Sequence, residues 1–113
     1  MTESVVLALI FLAVGLLFVG LGVPLARGRV RPNHLYGCRT RATLADERVW
    51  YEVNRAAGRD MIAGGLFVAA CALAVLAFAR AASPDAVTVA LLAALLLSVG
   101  RMGVRCWRAS ARA

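Results

Sequence analysis

Three long apolar runs constrain this chain more than any other feature of it. The first, 4–26, and the second, 61–79, contain no charged residue; the third, 86–100, continues through Arg101 to about Val104. A membrane-spanning helix needs about 20 apolar residues. The first two runs meet that length directly, and the third reaches it if Arg101 snorkels toward the headgroups. A soluble domain would need far more polar surface than a chain that is 62% hydrophobic, with a mean hydropathy of +0.79, can supply. The sequence therefore predicts an all-α integral membrane protein with helices at about 4–26, 61–80 and 86–105. The 113 residues suffice for one domain, 1–113. The first run is expected to be retained rather than cleaved, because Met1-Thr2-Glu3 is not basic and no small-x-small cleavage site follows. It is expected to stop at Gly22-Val23-Pro24.

Charge gives the orientation. All 13 basic residues are Arg, set against 6 acidic residues. Arg27, Arg29, Arg31, Arg39, Arg41, Arg48, Arg55 and Arg59 lie between the first and second helices, and Arg101, Arg105, Arg108 and Arg112 at the C-terminal end. Only Arg80 falls between the second and third helices. Three crossings put the long loop and the tail on one side, and arginine excess marks that side as cytoplasmic. The N-terminus is then outside. A pI near 11 is compatible with nucleic acid, but the apolar runs make anionic lipid headgroups the expected partner and nucleic acid an unexpected one. Arg101, Arg105, Arg108 and Arg112 recur on one helical face beside Trp107 and are read as headgroup ligands.

A loop as long as 27–60 is expected to hold structure of its own. Its second half, about 43–58, reads as a cytoplasmic amphipathic helix capped by Thr43, with Asp46 and Glu47 in its first turn. Trp50, Val53, Asn54, Ala57 and Met61 share one face, and Arg48, Glu52, Arg55 and Arg59 another. The expected arrangement is a helix on the membrane surface that bends at Gly58 into the second span, with one continuous helix as the alternative. Small residues at helical spacing (Ala90, Ala94 and Ser98; Gly65 and Ala69) invite close helix packing, within one protomer or between protomers of a homo-oligomer. Cys38, Cys71 and Cys106 are odd in number and widely spaced, so no disulfide or metal framework is expected; Cys38 and Cys106 read as reduced cytoplasmic thiols.

The most distinctive stretch is Arg31-Pro32-Asn33-His34-Leu35-Tyr36-Gly37-Cys38-Arg39-Thr40. Pro32 holds Arg31 extended, and Gly37 permits a left-handed or sharp turn. Asn33 and Thr40 can bond turn backbone, and Arg39 presents a planar fork to phosphate, carboxylate or helix-end carbonyls. Asn33-x-x-Tyr36-Gly37-x-Arg39-Thr40, followed by Trp50, Asn54 and Gly58, resembles the signature of the SdpI family of small bacterial membrane proteins. The family is named for an immunity protein that protects producer cells from a secreted toxic peptide. Arg41 stands where family members often carry Pro, and the immunity protein itself has a further N-terminal membrane region. The resemblance implies a helical domain of the bacterial cytoplasmic membrane with the motif loop at the membrane face.

Two roles stay open for Asn33, Tyr36, Gly37, Arg39, Thr40, Trp50 and Asn54. They can knit the loop to the amphipathic helix, with Trp50 as an interfacial anchor, or they can recognise a ligand. No nucleophile–base pair, carboxylate pair or metal cluster is visible, and a lone His34 is not a general base, so no enzyme, metal or cofactor is expected. The expected function is an immunity-like module that binds a membrane-active peptide or lipid-linked ligand at the cytoplasmic face. The alternatives are a non-catalytic accessory subunit of a larger membrane complex and a small oligomeric transporter.

Overall fold

The polar half of the second hydrophobic segment settles how the chain is built. In the computed structural model, which describes residues 3–33, 35–78 and 83–112, this half is the start of one 32-residue helix. The helices are α1 (Glu3–Ala26), α2 (Arg41–Ala45), α3 (Glu47–Phe78) and α4 (Pro84–Arg112). α1, α3 and α4 are each long and apolar enough to cross a membrane. Only 22%, 28% and 22% of their most apolar windows are buried within the protein, so the remaining side chains have lipid as their solvent. Among the described residues there is no strand. His34 and Arg80 lie outside the described residues.

The expected surface helix over 43–58 does not form as a separate element. Its first residues belong to α2, a single short turn, and from Glu47 the chain runs on unbroken into the second span. The reason lies in its apolar face. Trp50, Val53, Asn54 and Gly58 are buried against the rest of the protein, so that face has no need of the membrane surface. Trp50 is fully buried and is not an interfacial anchor. The caps differ as well. Thr40 caps α2 in a reciprocal capping box with Thr43, and the Arg48 amide donates to Asp46 Oδ1 at 2.9 Å to start α3.

α1 does not stop at Gly22-Val23-Pro24 but carries Pro24 in its last turn. It ends in a Schellman cap: the Gly28 amide donates to the Leu25 carbonyl and the Arg29 amide to the Pro24 carbonyl, with Gly28 at φ +68°.

α3 is the central helix. α1 and α4 both run antiparallel to it, and the molecule measures 51 × 22 × 19 Å. A bilayer is about 40–45 Å thick with its headgroups, so the polar start of α3 and the arginine-bearing end of α4 reach past the hydrocarbon together. α1 meets α3 through glycines. A Cβ at Gly15 would lie 2.6 Å from the Gly65 carbonyl oxygen, and one at Gly58 would fall against the Ala26 amide nitrogen and 2.7 Å from the Gly22 carbonyl oxygen. Gly58 is therefore a close-approach point and not a hinge. Ala69 joins this interface, while Ala94 and Ser98 are buried and Ala90 is exposed. At the far end Phe11, Val68, Ala72, Val87 and Leu91 form the apolar core.

Substituting Gly58 by Ala should destabilise the α1–α3 pair by about 1–3 kcal/mol, the usual cost of overpacking. Gly100, whose Cβ would meet nothing within 4 Å, should accept Ala without loss. Melting curves in detergent check both. Equal melting of Gly58→Ala and the parent would remove the glycine contact as the basis of the packing.

Candidate functional site

Asn33 shapes the entry to the motif loop. Its Oδ1 accepts the amides of Leu35 at 2.8 Å and Tyr36 at 3.0 Å, and its Nδ2 donates to the Arg31 carbonyl at 2.7 Å. This is an Asx turn of the kind the sequence predicts. The Tyr36 hydroxyl points back at α1, donating to the Leu21 carbonyl at a long 3.5 Å. Gly37 then takes φ +111°, where a side chain is strained. Space forbids a side chain there too, since a Cβ would lie 2.8 Å from Asn54 Oδ1 and 3.3 Å from the Trp50 ring.

With no side chain in the way, the Cys38 backbone lies directly on α3. The Cys38 amide donates to Asn54 Oδ1 at 2.6 Å, and Asn54 Nδ2 donates to the Cys38 carbonyl at 3.2 Å and to the Trp50 carbonyl at 3.0 Å. Thr43 Oγ1 donates to the same Cys38 carbonyl at 2.9 Å. Trp50 Nε1 donates to the Val30 carbonyl at 2.9 Å, fastening the start of the loop. Asn54 and Thr43 are 1% and 0% exposed, and no buried side-chain polar atom among the described residues lacks a partner. Gly37, Thr40, Trp50 and Asn54 therefore come together as a brace through Cys38 and Thr43, while the bonds of Asn33 lie within its own turn. Arg39 and Leu35 face outward, Leu35 at 88% exposure.

A covalent link joins the loop to α4. Cys38 and Cys106 form a disulfide with Cα atoms 5.7 Å apart, which corrects the expectation of two separate thiols; Cys71 is free. Their 68-residue separation hides the pairing from any spacing rule, since the up-down-up topology is what brings them together. The Thr40 hydroxyl donates to Ser110 Oγ at 2.9 Å beside the bond.

The arginine stripe is not uniform. Asp60, nearly buried on α3, accepts Arg105 Nε at 2.7 Å and lies 3.8 Å from Arg101. Arg105, Arg108 and Arg112 line a cleft of about 220 Å³ between α3 and α4, with Asp60 and Cys106 also in its wall. Asp60 was not singled out from sequence. Its signal was present: an acid at the edge of an apolar run, in a protein whose tail is an arginine stripe.

Three membrane-crossing helices with a braced loop at one end define a small multi-pass membrane protein. The model of the SdpI/YfhL protein family matches residues 29–104, and the chain belongs to that family. It is 44% identical over 41 residues to "Uncharacterized protein YfhL" of Bacillus subtilis (strain 168), a stretch that covers 36% of this chain and 37% of that protein. No solved structure matches.

Asn54→Ala should be the most damaging change at this site, because it leaves the buried Cys38 amide without its acceptor, while the Cys38 carbonyl keeps Thr43. Such an unpaired group costs about 1–3 kcal/mol. Tyr36→Phe loses only the long hydrogen bond to the Leu21 carbonyl and should cost no more than about 1 kcal/mol. The order of detergent melting temperatures checks this, and a milder effect for Asn54→Ala than for Tyr36→Phe would refute the brace.

Asp60 and Arg105 give an asymmetric pair. Arg105→Ala leaves a nearly buried carboxylate with only the more distant Arg101, whereas Asp60→Asn leaves an arginine that is half exposed to water. Arg105→Ala should therefore lower the melting temperature more than Asp60→Asn, and the reverse order would show that the pair is not what holds α4 to α3.

Proposed function

We propose that this chain is an immunity-like binding module whose braced loop recognises a membrane-active peptide or lipid-linked ligand at the cytoplasmic face of a bacterial membrane. One observation carries the reading. Buried hydrogen bonds fix the loop from beneath, and the same loop turns an exposed aliphatic side chain, Leu35, and an exposed cation, Arg39, outward. An aliphatic group and a planar cation exposed on one loop suit an amphipathic ligand, because the backbone that carries them is already held by hydrogen bonds and loses little freedom on binding. Membership of the SdpI/YfhL family agrees with such a role. The reading is non-catalytic. Twelve of the thirteen arginines belong to the loop and the tail, which supports a cytoplasmic position for both and an outside N-terminus. On that side Arg108 and Arg112 are available to anionic headgroups, while Arg101 and Arg105 also serve Asp60.

A second reading has its own support. Gly100 and Gly103 on α4 have no neighbour within 4 Å, and Leu96, Leu97 and Val104 beside them are exposed. Such a small-residue face suits a further transmembrane helix, from a larger complex or from a second copy.

Expression in a peptide-sensitive bacterial host tests the first reading. The parent chain should raise the inhibitory concentration of at least one membrane-active peptide several-fold. Arg39→Lys should lose that protection, since Lys lacks the planar fork. Unchanged sensitivity across a broad peptide panel would overturn the proposal. If Arg39→Lys melts early, the residue belongs to the brace instead.

A further inference from the structure

We propose that Cys38 and Cys106 form an exchangeable dithiol–disulfide site, opened and closed by anionic low-molecular-weight thiols and their disulfides that enter through the arginine-lined cleft. The inference rests on the cytoplasmic orientation argued above. Disulfides in that compartment are typically transient and redox-sensing, because the thiol pool there is kept reduced. The bond joins the motif loop to α4 at the same end as the arginines.

The two sulfurs do not depend on the bond for their proximity. The Asn54 clamp holds the Cys38 backbone, and the Thr40–Ser110 hydrogen bond holds α4 one turn beyond Cys106. A reduced pair so placed closes again as an intramolecular reaction, with the rate advantage of held reactants. Access is unequal. Cys38 is buried at 4% exposure, while Cys106 is part-exposed in the wall of the cleft between α3 and α4. Attack therefore falls on Cys106. Arg105, Arg108 and Arg112 outnumber Asp60 around that cleft, so an anionic thiolate is drawn in and its charge stabilised.

The chemistry is thiol–disulfide exchange. A small thiolate attacks Cys106 Sγ, the Cys38–Cys106 bond breaks, and its electron pair leaves on Cys38 Sγ. The Ser110 hydroxyl lies 3.7 Å from that sulfur and donates toward it, easing its departure as a thiolate that then takes a proton from solvent. A second small thiolate attacks the outer sulfur of the mixed disulfide and releases Cys106 as its thiolate. In sum, two small thiols are oxidised to one small disulfide and one protein disulfide is reduced to two thiols. The reverse sequence, driven by a small disulfide, closes the pair. Opening removes the covalent tie between α4 and the loop bearing Leu35 and Arg39, while Asn54 and the Thr40–Ser110 hydrogen bond keep the two sulfurs near each other.

Acid-quenched bacterial cells expressing the full chain, treated with a high-mass maleimide, give the test by gel shift. The expected result is three modifiable cysteines in growing cells, only Cys71 after a pulse of the thiol oxidant diamide, and three again on recovery. Cys38→Ser should show two in growing cells and only Cys71 after diamide, its Cys106 now held as a mixed disulfide with the small thiol. Three modifiable cysteines even after diamide, or a pair that stays oxidised under a permeant reductant, would overturn the exchange. A pair oxidised in growing cells that opens to a membrane-impermeant phosphine in spheroplasts would instead overturn the orientation on which it rests. The route has a separate readout in the detergent-solubilised, oxidised chain. Combined Arg108→Ala and Arg112→Ala should slow reduction by glutathione, which carries carboxylates besides its thiolate, several-fold more than reduction by mercaptoethanol, which is charged only as its thiolate. Equal effects on both reagents, or none, would remove the cleft as the path.

Discussion

The carboxamide of Asn54 is the interaction on which the arginine-rich end of this protein depends. A loop without regular structure cannot lie on a helix unless its amides and carbonyls find partners. Asn54 offers the Cys38 backbone what a neighbouring strand would offer, one acceptor and one donor, and gives its other proton to Trp50 one helical turn back. The absence of a side chain at Gly37 is what lets the loop come close enough. The position of Cys38, and with it the bond to Cys106, follows from that clamp. So does the placement of Thr40 at the start of α2, two residues further on.

α3 answers to two solvents in succession. Through the span it faces α1 with Gly58, Gly65 and Ala69. In lipid there is no hydrophobic drive between helices, and close backbone approach takes its place. Above the span the same helix buries Trp50 and Asn54 against a polar loop. Asp60 sits where the two regimes meet, and the nearby arginines of α4 make its charge tolerable there. Registry between α3 and α4 is thus fixed by an ion pair near the membrane face and by the Val68–Leu91 core at the other end.

Much of this was legible in the sequence, and the parts that were not share a cause. The spans could be read from hydropathy, because lipid imposes a length and a composition on any helix that crosses it. The Asx turn at Asn33 and the turn at Gly37 could be read because both are local chemistry. The sequence does not separate a surface helix over 43–58 from one continuous helix, because an apolar stripe says that a face is covered without saying by what. Here the cover is the motif loop rather than the membrane. Gly58 is ambiguous in the sequence for a related reason. A glycine in a helix marks a bend or a close neighbour, and only the position of α1 decides between them. The Cys38–Cys106 pair and the Asp60–Arg105 pair are both long-range, and no spacing pattern announces them.

Two compartment signals meet at the same end of the molecule and point in opposite directions. Twelve arginines favour the cytoplasm, while a disulfide, taken alone, favours an oxidising exterior. They are not signals of equal kind. The arginines act during insertion, when charge near the ends of the spans biases which side each connection stays on. The disulfide expresses proximity, and the proximity of Cys38 and Cys106 is already set by Asn54, Thr40 and Ser110. Geometry thus makes the bond available in either compartment, and the thiol pool of the compartment decides how often it is made. On the proposed orientation, the bond is the part of this end of the protein that is free to change.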